Sequence, residues 1–219
     1  MKKTVLGILI LMSLCSNAQE YKKEDKALTG IFEAQGKTKA QIYSAINKWI
    51  SINYNSGKSV TQLSDGEAGN IILKGINEVS YPNISKIMYP NMKSIQDISI
   101  MKLNHLIEIN IKDNKFRIIY KIVDFYIDTA TAGYMAPEII KMTNDCINLN
   151  GISDEALFKS TEYMDMNLKK GMMGKEKRDK VKEATKPMYD ELNTNLVVNM
   201  KTTMLSIQSA VTSTTNEGW

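Results

Sequence analysis

His105 is the only histidine in the chain, so any imidazole acid–base or metal chemistry must pass through it. Its nearest carboxylate in sequence is Glu108, three residues along the same expected strand. A zinc centre needs three or four nitrogen, sulfur or oxygen ligands, and no second histidine supplies one. A Ser-His-Asp hydrolase could draw its partners from distant positions, but no nucleophile elbow accompanies His105. The simpler reading is a structural or solvent-facing histidine. A hydrolase assembled around His105 is kept as an alternative function.

Other short patterns carry less chemistry. Gly57-Lys58-Ser59 has the ending of a phosphate loop, but Ile52 stands where that loop needs its first glycine. Asp65-Gly66-Glu67 places two carboxylates in a turn without the spaced oxygen ligands of a calcium loop. Asp113-Asn114 has turn chemistry of the same kind. Asp124 and Asp128 flank Tyr126 at a strand end, and a glycosidase pair would require them to share a cleft. No catalytic, cofactor-binding or metal-ligating residue follows from these patterns, and no cofactor is implied.

Lys169, Lys170, Lys175, Lys177, Arg178, Lys180 and Lys182 form the main basic cluster, interleaved with Glu176, Asp179 and Glu183. Such interleaving fits a solvated helix face, and a membrane-surface role is the sharper reading. Met164, Met166, Met172, Met173, Met188, Met200 and Met204 concentrate flexible thioethers in the same region. They read as core packing or, more sharply, as an adaptable partner groove.

The elements that must position these residues change character along the chain. Residues 19–29 are polar and read as a flexible segment. A short strand follows at 30–36. Residues 38–54 form an amphipathic helix with Thr38 and Gln41 spaced as a capping box. Ile42, Ala45, Ile46, Trp49 and Ile50 make its apolar stripe. Strands are expected at 59–64 and 70–79, joined by a tight turn at 65–69. Gly75 marks a bulge or a close approach. Residues 80–98, with two Tyr-Pro steps, read as an insertion or long loop.

Alternation in HLIEINIK (105–112) gives the clearest strand, with Ile107, Ile109 and Ile111 on one face. Residues 115–127 return through a hairpin with Phe116, Ile118, Tyr120 and Ile122 on one face. Arg117, Ile119, Lys121, Val123 and Phe125 fall on the other, which is too apolar for simple exposure. Residues 128–152 are irregular, apart from a short element near 138–142 opened by Pro137. Ser153 caps a helix with Asp154 and Glu155 in its first turn. The last helix runs over about 175–211, and Pro187 predicts a kink or break at Lys186. Residues 213–219 read as a loose tail in which Trp219 could dock.

The N-terminus MKKTVLGILILMSLCSNAQE has a positive start, a short apolar run, and Ser16 and Ala18 before Gln19. Residues 1–18 therefore read as a cleavable signal peptide, and the protein as exported. Lipidation at Cys15 is the minor branch, since Leu14 is too large for the position before it. Cleavage leaves 201 of the 219 residues and lowers the formal charge from +4 to +2. A nearly neutral chain gives no argument for nucleic acid. No later run is long enough to span a membrane. Cys146 is then the lone cysteine, so no intrachain disulfide can form, and a buried thiol is the simplest reading.

Strands before residue 128 and helices after 152 make the α+β pattern. The leader, the 38–54 helix, the run KSVTQLSDGEAGNIILKG and the run IEINIKDNKFRIIY resemble an exported bacterial family. It is a domain of unknown function with a TBP-like fold (DUF4468), found mostly in Bacteroides and its relatives. The resemblance spans about residues 28–127. It implies a curved antiparallel sheet with a helix packed on one face, here followed by a helical C-terminal region. It implies no activity and no site residues.

The domain reading is then an α+β domain over 30–152, with its insertion at 80–98, and a helical region over 153–212. The expected function is non-enzymatic: periplasmic or envelope-associated binding or structural support. The expected partner is a protein, peptide or glycan meeting the sheet and the C-terminal helices. Homo-oligomerisation through those helices is the other alternative.

Overall fold

The computed structural model describes residues 20–54, 56–126 and 137–213. The expected signal peptide, Cys15, Asn55, Asp128 and Trp219 lie outside these residues, as do residues 127–136 and all but the first residue of the expected tail.

Six antiparallel strands form one curved, open sheet in the order β1-β2-β6-β5-β4-β3. They are β1 (Tyr21–Lys23), β2 (Ala27–Glu33), β3 (Thr61–Asp65), β4 (Asn70–Pro82), β5 (Ile98–Lys112) and β6 (Lys115–Phe125). The helices are α1 (Lys39–Asn53), α2 (Gly57–Val60), α3 (Ser85–Met88), α4 (Pro137–Cys146), α5 (Asp154–Lys170) and α6 (Lys175–Thr212). The fold is α+β, with α1 and α6 packed on the sheet and the helical region following it.

Local signals explain most of the starts. Thr38 Oγ1 accepts from the Gln41 amide, while Gln41 Oε1 accepts from the Thr38 amide at 2.9 Å, completing the capping box of α1. Ser153 Oγ accepts from the Ala156 amide at the start of α5. The β5–β6 turn docks on α1: Asp113 Oδ1 accepts from the Lys39 amide at 2.6 Å, and Asn114 Oδ1 from the Gly36 amide at 2.9 Å. Gly69 closes the β3–β4 turn at φ +72°, where a Cβ would lie 2.6 Å from the Ile111 carbonyl oxygen. Only glycine fits there.

The core lies between the sheet and the helices. Leu28, Phe32, Ile71, Leu73, Ile107, Ile109, Ile118 and Ile122 from the sheet are buried. They join Ile42, Ile46, Leu192, Leu196, Met200 and Met204 from α1 and α6 in one cluster. Trp49 is buried at the α1–α6 seam, and its Nε1 donates to Ser206 Oγ at 2.9 Å.

Several expectations are corrected. Residues 21–23 and 27–29 are strand, not flexible chain, because Tyr21 pairs with Gly30 and Leu28 with Tyr120. Ser59 and Val60 belong to a single helical turn that Ser56 caps, so β3 starts at Thr61. The 80–98 segment is shorter as a loop than the Tyr-Pro steps suggest: β4 runs to Pro82, and β5 begins at Ile98 and pairs with it throughout. Pro187 does not break α6, which is continuous across it. Val181, Thr185, Met188, Tyr189 and Leu192 are buried on both sides of the proline, so packing outweighs the lost hydrogen bond.

Phe125 is also on the other face from the one expected. The β5–β6 register shifts between Asn104 and His105, so Val123 is an extra residue in β6 and Phe125 pairs with Leu103. This bulge turns Phe125 to the helix-covered side. Arg117, Ile119, Lys121 and Val123 remain on the other side of the sheet, with Val123 44% exposed.

Candidate functional site

The far end of the sheet meets the helical hairpin in an apolar pocket of about 460 Å³. β4 contributes Tyr81, and β5 contributes Ile100 and Met101. The bulge in β6 delivers Phe125. The 83–88 segment adds Ile84 and Met88, while Tyr163, Met164, Asn167 and Leu168 line it from α5. Val181, Met188 and Tyr189 close it from α6. None of the described lining residues is charged. Four methionines give walls that can adjust to a ligand, in a volume typical of small-molecule sites.

The walls are braced from outside. Lys177 Nζ donates to the Met88 carbonyl at 3.2 Å, tying the loop to α6. Lys86 Nζ donates to the Ile95 carbonyl at 3.0 Å within that loop. Pairing of β3 with β4 reaches only to Leu73, which leaves the rest of β4 as a sheet edge. Asn195 Nδ2 and Asn199 Nδ2 donate to the Ser80 and Glu78 carbonyls, each at 3.0 Å, so α6 protects that edge. The polar lining residues are partly engaged: Asn83 Oδ1 accepts from the Ser85 amide and Asn167 Nδ2 donates to the Tyr163 carbonyl.

The residues weighed for acid–base, metal or nucleophilic chemistry lie elsewhere. His105 is buried on the helix-covered face, with its ring 4.9 Å from that of Tyr120 and neither nitrogen hydrogen-bonded among the described residues. Burial lowers its pKa to about 4, so it is neutral at pH 7. This is no base poised beside a hydroxyl. Asp124 Oδ1 accepts from Asn104 Nδ2 at 2.6 Å. Asp65 Oδ1 accepts from the Ala68 amide within its turn. Cys146 is buried, and burial pushes its thiol pKa up. Among the described residues no group of three His, Cys, Asp or Glu side chains could hold a metal ion.

The basic cluster divides. Lys180 pairs with Glu176 at 2.8 Å, Arg178 with Asp165 at 3.0 Å, and Lys182 with Asp165 at 3.4 Å. Of the seven methionines singled out in the C-terminal half, Met164 and Met188 line the pocket, Met200 and Met204 are buried in the core, and Met172 is 94% exposed. Sequence reasoning missed Ile100, Met101 and Phe125 as pocket residues. Their signal was an apolar run on either side of a loop, and the bulge that turns Phe125 inward has no local signature.

Residues 29–126 match the model of a family described as a domain of unknown function (DUF4468) with TBP-like fold. This segment is similar to DUF4468 domains. Two solved structures are similar to the chain. One is a TBP-like protein from Parabacteroides distasonis, at 17% identity over 47% of this chain, with a TM-score of 0.35. This chain spans 58% of that protein's length. The other is a DUF4468 family protein from Bacteroides ovatus, at 14% identity over 70% of this chain and 90% of that one, with a TM-score of 0.37. No curated protein matches the chain. The matched segment supplies α1 and most of the sheet, whereas α5 and α6, which close the pocket, lie beyond it.

Proposed function

We propose that the protein is an exported, non-enzymatic binding protein of the periplasm or cell envelope. Its site is the pocket between the sheet end and the α5–α6 hairpin, and its ligand group is uncharged and largely apolar. The observation that carries this reading is a methionine-rich cavity of about 460 Å³ with no charged side chain among the described residues of its walls. Those walls favour an apolar group of a peptide or small molecule over a glycan, whose hydroxyls need more polar partners. The signal-peptide pattern of residues 1–18 supports export, and no helix among the described residues is long and apolar enough to cross a membrane.

A nucleic-acid role has little support from the face of the sheet opposite the helices. Arg117 there is held by Asn110 Oδ1 at 2.6 Å, and Lys102 pairs with Glu78 at 3.1 Å. Both signs of charge are mixed on this face, unlike a phosphate-tracking stripe.

Titration with the neutral lipophilic fluorophore N-phenyl-1-naphthylamine tests the reading. Saturable binding should fall at least about tenfold in Met164→Trp, which puts a bulkier side chain in the α5 wall of the pocket, with the unfolding midpoint unchanged. Equal binding by the folded variant would contradict it. A second reading, homo-oligomerisation through the C-terminal helices, is favoured by the exposure of Phe158 and Val198, at 65% and 54%. Solution mass at several concentrations decides it.

A further inference from the structure

The turn joining α5 to α6 presents an apolar apex inside a basic rim. Residues 169–178 hold five cations against one acid. Met172 sits at the apex with 94% of its surface exposed and a backbone φ of +58°. A left-handed backbone disfavours any side chain but glycine or asparagine, and a bare thioether gains nothing from water. Glycine stands at 171 and at 174, yet methionine occupies the strained position.

The apex is held firmly. The Met172 amide donates to the Lys169 carbonyl and the Met173 amide to the Leu168 carbonyl, both at 3.0 Å. Arg178 Nη1 donates to the Met173 carbonyl at 3.0 Å while Nε pairs with Asp165. The surrounding cations are differently placed. Lys169, Lys170 and Lys175 are exposed and form no ion pair among the described residues. The Lys177 tether to Met88 also brings the neighbouring Tyr89, 45% exposed, next to the first turn of α6.

We propose that this hairpin tip docks the protein on an anionic lipid bilayer, with Met172 entering the headgroup–acyl boundary and Lys169, Lys170 and Lys175 meeting lipid phosphates. The bilayer fits better than a protein partner because it receives a flexible apolar side chain without a shaped socket and answers a basic rim with diffuse negative charge. Tyrosine beside the tip suits the same interface, where an apolar ring and a polar hydroxyl are both accommodated. Leu168 and Met88 line the pocket, so docking would bring its walls close to the membrane surface.

The test is sedimentation of the chain from residue 19 onward with vesicles of phosphatidylcholine alone and with about a quarter phosphatidylglycerol. Binding to the anionic vesicles should exceed binding to the neutral ones at least about tenfold and weaken with salt. The variant Met172→Gly relieves the left-handed strain, so it should be at least as stable as the parent yet bind about fivefold less. Lys169→Glu with Lys170→Glu should abolish the anionic preference. The pocket variant Met164→Trp should still sediment, which keeps docking distinct from pocket binding. No preference for anionic vesicles overturns the proposal. So does a Met172→Gly protein that binds as the parent does, or one that loses only self-association.

Discussion

His105 lies directly over Gly75, its strand partner: a Cβ at residue 75 would come within 2.9 Å of His105 Cε1 and 3.0 Å of Nε2. The glycine is therefore a close approach, not a bulge, and the imidazole occupies the space a side chain would take. Gly75→Ala should destabilise the fold by about 1–3 kcal/mol in urea unfolding. His105→Ala opens the same space, so the double variant should show a coupling of about 1 kcal/mol or more. Strict additivity would show that the two residues do not compete for that space.

The same burial predicts a pH response. His105 has its pKa lowered from 6.5 to about 4. Between these values the unfolded chain binds more protons than the folded one, so stability is complete above about pH 6.5 and is lost as pH falls towards 4. At pH about 4.5 the loss from this group should be about 2–3 kcal/mol. Urea unfolding of the parent and His105→Leu at neutral and acidic pH isolates it, since the carboxylates titrate in both. Equal acid losses in the two proteins would refute the assignment.

Trp49 links α1 to α6 through its indole N–H and Ser206 Oγ. Trp49→Phe removes the hydrogen bond while keeping an aromatic ring and should cost about 1 kcal/mol. Trp49→Ala also opens a cavity at the seam and should cost about 3–5 kcal/mol. Denaturant midpoints at constant m-value check both.

Cys146 is buried, with its sulfur 3.9 Å from the Ala156 carbonyl oxygen. An aromatic disulfide reagent should modify it at least about a hundredfold more slowly in the native protein than in denaturant. Rapid native labelling would place the thiol at the surface.

What was legible in the sequence was what neighbouring residues decide. Thr38 with Gln41 marked the start of α1. Ile107, Ile109 and Ile111 marked the buried face of β5, and Asp113-Asn114 its hairpin. The missed features depend on distant partners. Residues 98–104 become strand because β4 extends alongside them to Pro82. Phe125 turns inward because one residue more is accommodated in β6 than in β5. Pro187 stays helical because both flanks are buried against other elements. The methionine concentration pointed to an adaptable surface, but the pocket needs Met88 and Met101 from the strand region as well as Met164 and Met188. Only the three-dimensional fold brings those four together.

The central claim is that this pocket binds an uncharged apolar group, and its most direct test is methyl NMR of the methionine-labelled chain titrated with N-phenyl-1-naphthylamine. Met88, Met101, Met164 and Met188 should shift together and saturably, while Met200 and Met204 in the core stay in place. Absent shifts at those four, or shifts spread equally over the core methionines, would contradict the account.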